Sequence, residues 1–406
     1  MSFVPHPIGS LAPFDKTPRT RLVFGCGVLS RLGALSAELG ARRVLLVTDR
    51  GIVAAGHVAR AVESLQGAGV AVTVYDAVRE NPSTVDVARC LAVARDAGVD
   101  LFVGLGGGSS MDTAKGTNFL LTNGGEMKDY WGVGKASRPM LPLIAVPTTA
   151  GTGSECQSAA LIADEHTHQK MACLDPKAAA RVALLDPELT VSQPPRVTAV
   201  TGVDALAHAV ETAVTTIRDS VSLMYSHEAF KRLIHALPRV LEAPTDLDAR
   251  GQMLLGAAFA GTAIESSMLG AAHSAANPLT AHFNVVHGAA VGLMLPQVIR
   301  FNAGGDSSIL RAYAELASAA ELATVGGGTD RALEALVSRV ESILNRAGIP
   351  RSLTEAGVDP SRIPQLADEA SQQWTAKFNP RSCAAADFVA MYEAALRPRG
   401  DAIRRS

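Results

Sequence analysis

The sequence predicts an α/β N-terminal domain with a parallel sheet, followed by an all-α C-terminal domain. Three observations carry that prediction. Through the first half, short runs rich in Val, Leu and Ile alternate with segments of helical periodicity, the pattern of parallel strands covered on both faces. Two of those runs lead into loops dense in glycine and hydroxyl residues. After Asp186-Pro187 the strand-like runs disappear and helical patterns follow. The domains are therefore expected at residues 1–190 and 191–406, with the break falling between 187 and 196 and no low-complexity linker. Halves joined without a linker are expected to pack directly and leave a cleft, a place ligands favour.

In chain order, Arg43–Thr48 (RVLLVT) reads as a strand, Gly51–Gly67 as a helix, Val70–Tyr75 as a strand and Thr84–Ala97 as a helix. Leu101–Leu105 (LFVGL) is a strand running into Gly106-Gly107-Gly108, and a helix opens at Ser109. Leu143–Val146 is a further strand. Ala159–Ile162, Lys170–Leu174 and Arg181–Leu185 read as short strands separated by turns, a small appended hairpin. Helices are then expected at Val197–Val214, Ser220–Leu241, Asp248–Ala271, His287–Arg300, Ser308–Leu322, Thr329–Ala347 and Pro364–Gln373. Met253–Leu269 is long and apolar, but it holds Glu265, two serines and two glycines, so it reads as a buried helix rather than a membrane span.

Composition narrows the function. A hydrophobic fraction of 48% with 19% charged residues argues for a folded chain. The 37 basic and 39 acidic residues leave a net charge of −2, which gives no footprint for nucleic acid and no charged tail. The five cysteines form no CxxC pair, so a reducing, cytoplasmic compartment is expected rather than a disulfide framework or a thiolate zinc site. The N-terminal MSFVPHPIGSLAPFDKTPRTR lacks a basic stretch followed by an apolar one, so no signal peptide is expected.

Gly106-Gly107-Gly108-Ser109-Ser110 follows a strand and opens a helix. Glycines let a phosphate approach the backbone, and the helix N-terminus offers N–H groups and partial positive charge. The plain alternative is a tight turn. A second loop, Pro147-Thr148-Thr149-Ala150-Gly151-Thr152-Gly153-Ser154-Glu155, follows the next strand with four hydroxyls and two glycines. Open α/β sheets bind ligands at such strand ends, which points to a dinucleotide-binding domain. Asp49 ends RVLLVT, where a carboxylate can accept from an adenosine ribose and repel a 2′-phosphate, favouring NAD over NADP. It can equally be a turn-forming Asp, and no GxGxxG follows that strand.

The helical half carries the second signal. Asp204 and His208, four apart in VDALAHAVE, project from one helix face. Alone, such a pair is more often a surface interaction. His273 and His287, however, lie in GAAHSAANPLTAHFNVVHGAAVGLMLP, and no Lys or Arg occurs at residues 251–299. One carboxylate and three imidazoles make a borderline-soft site suited to Fe(II) or Zn(II). The alternative is two separately satisfied histidines. His282 would turn by about 900° from His273 on a continuous helix, to the opposite side, and Pro278 argues against that continuity. His282 is therefore a candidate proton relay, not a ligand. His166, His168, His227 and His235 read as solvated or structural, and His6 and His57 carry no signal.

These residues resemble the iron-containing (group III) alcohol dehydrogenases. The resemblance rests on GGGSSMDTAK (Gly106–Lys115), PTTAGTGSE (Pro147–Glu155), GVDALAHAVE (Gly202–Glu211) and HSAANPLTAHFNVVHG (His273–Gly288), in matching order and spacing. It implies a dehydroquinate synthase-like architecture, NAD(P)-dependent interconversion of an alcohol and an aldehyde or ketone, and a homodimer or higher homo-oligomer, since members commonly dimerise through the N-terminal domain. The family's metal ligands fall on Asp204, His208, His273 and His287. Its cofactor contacts fall on Asp49, Asn81, Gly107, Gly108, Ser109, Thr148 and Thr149, and more loosely on Lys170. Many members carry a further histidine four residues after the third ligand, and this chain has Asn277 there. Asparagine orients a hydroxyl but exchanges no proton near neutral pH. The absence of Lys and Arg at residues 251–299 favours a small to medium neutral alcohol or its carbonyl partner, because a charged substrate would call for a basic group. The rival is a dehydroquinate synthase-like or glycerol dehydrogenase-like enzyme on a polyol or phosphorylated substrate. No membrane partner is expected.

Overall fold

A computed structural model describes residues 14–167, 169–324 and 326–399; His6 and His168 lie outside the described residues. It divides into two compact units, Lys16–Gln193 and a second that begins at Pro194.

The first unit contains β1 (Arg21–Phe24), α1 (Leu32–Glu38), β2 (Arg43–Val47), α2 (Arg50–Ala54), α3 (His57–Gly67), β3 (Ala71–Tyr75), α4 (Thr84–Ala97), β4 (Leu101–Gly106), α5 (Gly108–Asn123), β5 (Gly132–Val133), β6 (Leu143–Pro147), β7 (Ala159–Ala163), β8 (Lys170–Leu174) and β9 (Val182–Leu185). Six strands form one parallel sheet in the order β1-β9-β6-β4-β2-β3. β4 and β6 are buried along their whole length, which explains their unbroken apolar sequence. The chain steps from β2 to β3 on one side and returns to β4 on the other, so a topological switch point lies between β2 and β4.

Two expectations need correction here, and β1 is a strand that the sequence does not announce. The helix expected at Gly51–Gly67 is two helices, because Gly56 adopts φ 82° between them. The hairpin holds only β7 and β8, paired antiparallel; β9 instead enters the main sheet between β1 and β6. β1 itself is a four-residue edge strand with one buried side chain, too short and too exposed for its pattern to stand out.

The second unit is helical: α6 (Pro195–Thr212), α7 (Ser220–Glu242), α8 (Leu247–Ser267), α9 (Ala271–Phe283), α10 (His287–Ala303), α11 (Ser307–Ala319), α12 (Thr329–Arg346), α13 (Ile363–Gln372) and α14 (Ala385–Ala395). α8 stops at Ser267, short of the expected Ala271, because Met268 takes φ 58°. The chain then bends by 105° into α9. α9 runs through Pro278 without a break, contrary to the sequence expectation. α8 is lined by thirteen buried residues, and among the described residues no single helix is long and apolar enough to cross a membrane. All five cysteines are free.

Candidate metal and dinucleotide sites

α6 carries Asp204, His208 and Glu211 on one face, at i, i+4 and i+7. α10 reaches that face because it carries Gly288. A Cβ there would lie 2.0 Å from the Val200 carbonyl oxygen and 3.4 Å from the Asp204 Cβ, so only glycine permits this approach. His287, the first residue of α10, is thereby delivered to Asp204. α9 delivers His273 from its first turn.

The three imidazoles converge on one carboxylate oxygen. Asp204 Oδ1 lies 3.4 Å from His273 Nε2 and 3.7 Å from the Nε2 atoms of both His208 and His287. Ligand atoms of Asp204, His208 and His273 all fall within 4.8 Å of one another. His287 stands at the rim, its side chain 38% exposed against 8% or less for the other three. The His208 and His273 rings stack with centroids 4.8 Å apart.

This donor set fits a divalent cation. Asp204 Oδ1 and His273 Nε2 are buried and make no hydrogen bond, a costly state for polar atoms unless something else satisfies them. Burial alone would push the Asp204 carboxyl up, but the surrounding imidazoles hold it well below the usual carboxylate range. Burial would likewise lower His273, yet the charges of Glu211 and Asp204 lift it to about 10. The cluster thus demands positive charge at its centre, which a cation supplies with the chemistry these N and O donors prefer.

Glu211 is a participant that the sequence reading passes over. Its Oε2 accepts from His273 Nδ1 and its Oε1 accepts from the Ala272 backbone N–H at 2.7 Å. The signal was present in the i, i+4, i+7 spacing with Asp204 and His208.

His282 is not brought to this cluster. It pairs with Glu369 at 2.7 Å. The continuous helix turns it to the side opposite His273, as the 3.6-residue period requires. Asn277, one turn after His273, remains on the His273 face and donates from Nδ2 to Gln373 Oε1 at 3.0 Å.

In the first unit, the dinucleotide candidates gather at the C-terminal ends of β2, β4 and β6. Gly106 has φ 150°, and a Cβ there would lie 2.3 Å from Ser110 Oγ and 3.6 Å from Asp49 Oδ2. Gly107 is the N-cap of α5 and no side chain caps that helix, so Gly108 and Ser109 open it with N–H groups directed outward. Thr148 N donates to the Gly106 carbonyl at 3.0 Å, and Thr149 lies against Gly107. Asn81, at φ 51°, donates from its backbone to Ser109 Oγ at 3.3 Å and accepts from Lys170 Nζ at 3.4 Å. Asp49 caps α2, its Oδ1 accepting from Gly51 N at 2.8 Å and Ile52 N at 3.1 Å.

The second loop is fixed from below by Lys115. This fully buried lysine donates to Ser154 O at 2.7 Å, Ser154 Oγ at 3.0 Å, Gln157 O at 2.8 Å and Ala159 O at 3.0 Å. Beside it, burial raises Glu155 to about 7 and Asp112 to about 6, partly offset by the Lys115 charge.

Glycine and hydroxyl loops at a switch point hold the phosphates of a dinucleotide, and a buried carboxylate ringed by imidazoles holds a divalent ion. A chain with both is a metal- and nicotinamide-dependent oxidoreductase. Residues 18–187 match the family model described as iron-containing alcohol dehydrogenase, and residues 198–396 match that of the Fe-containing alcohol dehydrogenase family, C-terminal. The chain is 33% identical over 377 residues to the lactaldehyde reductase of Escherichia coli (strain K12), spanning 92% of this chain and 97% of that protein. It is 32% identical over 375 residues to the NAD-dependent methanol dehydrogenase of Bacillus methanolicus, spanning 92% and 97%. Among solved structures, alcohol dehydrogenase from Oenococcus oeni matches with a TM-score of 0.90 at 31% identity, over 94% of this chain and 100% of that one. The protein belongs to the iron-containing alcohol dehydrogenase family, and it is an NAD(P)- and metal-dependent enzyme of small alcohols and aldehydes.

Proposed function

We propose that the substrate is a small to medium neutral alcohol, or the corresponding aldehyde or ketone. We further propose that Asp204, His208, His273 and His287 together hold one Fe(II) or Zn(II) ion. NAD rather than NADP is held by Asp49, Asn81, Gly107, Gly108, Ser109, Thr148, Thr149 and Lys170. The observation that carries the reading is the convergence of three imidazoles on Asp204 Oδ1. A neutral substrate is supported by the lack of Lys and Arg at residues 251–299, the stretch that includes all of α9. The names of the two relatives, which denote lactaldehyde and methanol, agree with it.

When bound, the cation supplies Lewis acidity to the substrate oxygen and the nicotinamide supplies the hydride acceptor or donor. The side chains do the rest. Asp204 contributes the single negative charge among the four ligands, and the imidazoles hold it ionised. The N–H groups opening α5 take the pyrophosphate, and Lys115 keeps the second loop rigid. Asn277, on the His273 face of α9, orients the substrate hydroxyl but passes no proton. A homodimer or higher homo-oligomer is the expected assembly. A reducing cytoplasmic compartment suits five unpaired cysteines.

The test combines metal analysis with an alcohol and aldehyde screen read at the NADH absorbance, on wild type and H273A. The wild type should hold about one ion per chain and turn over uncharged substrates. H273A retaining both full metal and full activity would remove His273 from the site.

A further inference from the structure

We infer that Glu211 is a positioning residue that fixes the tautomer of His273 and thereby sets the metal affinity of the site. The inference rests on the metal reading proposed above. Glu211 is 3% exposed and grips two consecutive residues of α9 with one carboxylate. Oε1 takes the Ala272 N–H at 2.7 Å, and Oε2 takes the proton of His273 Nδ1. A carboxylate can only accept, so Nδ1 must keep its hydrogen, and Nε2 is the nitrogen that gives up a proton to offer its lone pair to a cation. That Nε2 is the atom 3.4 Å from Asp204 Oδ1, in the centre of the cluster. A partner of this kind both orients a ligating imidazole and raises its basicity.

The same carboxylate also stands in for a missing helix cap. The N-cap of α9 is Gly270, which has no side chain to offer. Its first N–H groups are taken by Asn379 Oδ1, from Ala271 at 3.2 Å, and by Glu211. The two acceptors separate two roles: Asn379 takes a helix N–H and otherwise bonds Asn302, the Arg381 carbonyl and Cys383, whereas Glu211 takes a helix N–H and the imidazole. Glutamine at 211 would present one acceptor oxygen to two donors. If its amide nitrogen faced Nδ1, it would drive the hydrogen to Nε2 and remove the ligand lone pair.

The experiment compares wild type, E211Q and N379A as purified holoproteins, by competition of a chromophoric chelator for Zn(II) and by melting temperature. E211Q should bind zinc about 10–100-fold more weakly. N379A should melt earlier yet keep the wild-type affinity. Affinity in E211Q within twofold of wild type would overturn the inference. So would an equal loss in N379A, because the helix end rather than the imidazole would then set affinity. Should E211Q not fold, the ¹⁵N shifts of His273 in chelator-stripped wild type decide: a hydrogen on Nδ1 supports the inference, and an Nδ1 without one overturns it. Wild type that binds no zinc would sink the metal reading, while the measured tautomer would still decide this one.

Discussion

The two units hold their ligands by different means. In Lys16–Gln193 the dinucleotide candidates sit at strand ends and turns, and much of what they offer is backbone N–H at the start of α5. From Pro194 onward the proposed metal ligands are four side chains on three helices, three of them buried. A backbone site spreads its binding over many groups, so one substitution weakens it by degrees. A side-chain site with a shared ion has few groups, and each is close to indispensable. The difference teaches where a mutation should abolish activity and where it should only tune it.

The largest effect is expected at the metal ligands. H273A should lower kcat/KM by at least about 10³-fold, the order of about 4 kcal/mol of transition-state stabilisation, and should empty the site of metal. A loss of less than tenfold would show that the two units are not so different, and that the cluster merely supports the fold.

K115M tests the other unit. Removing the ammonium leaves the Ser154, Gln157 and Ala159 carbonyls without their shared buried donor. Stability should fall by about 3 kcal/mol or more. In the surviving folded protein, KM for NAD should rise about tenfold as the loop loses order, with kcat changing less. A variant that melts like wild type would show that the loop is held by its own turns.

E155Q sharpens the same point through pH. Burial holds the Glu155 proton to about pH 7, whereas the unfolded chain gives it up near its ordinary value of 4.5. Through that window the unfolded state binds fewer protons than the folded one, so this group removes stability as pH rises. The stability of E155Q relative to wild type should therefore climb between pH 4.5 and 7, by up to about 3 kcal/mol. Denaturant midpoints of both proteins across that range give the difference, in which the parallel contribution of Asp112 cancels. A flat difference would mean that Glu155 is hydrated in the native state.

Residue chemistry made the metal centre easier to read than its surroundings. Asp204, His208, His273 and His287 stand out because imidazoles and a carboxylate are rare in so apolar a stretch. Glu211 shares the α6 face of Asp204 and His208 but looks like any surface glutamate until α9 is seen to start against it. His282 was misleading for the opposite reason: its surroundings suggest the site, and only the unbroken path of α9 through Pro278 sends it to Glu369. In the first unit the apolar runs marked β2, β4 and β6 well. They could not say that β9 belongs to the main sheet, because strand order is decided by pairing between segments far apart in sequence. Gly56 and Met268 cut expected helices through backbone conformation, which periodicity does not report.

The smallest and most specific effect is expected at Asp49, the residue whose sequence left two readings open. The structure supports the plain one directly, since Oδ1 caps α2 through Gly51 and Ile52. It leaves the other intact, because Oδ2 faces the Gly106 turn rather than the cap. D49S separates them. Serine keeps a capping oxygen, so stability should change by less than about 1 kcal/mol. It removes the negative charge that would oppose a 2′-phosphate, so the ratio of kcat/KM for NADP to that for NAD should rise at least about tenfold. Paired NADH and NADPH assays on the two proteins read that ratio. An unchanged ratio with unchanged stability would reduce Asp49 to a cap, and cofactor choice would then fall to the backbone of the turns, as the rest of this unit's design suggests.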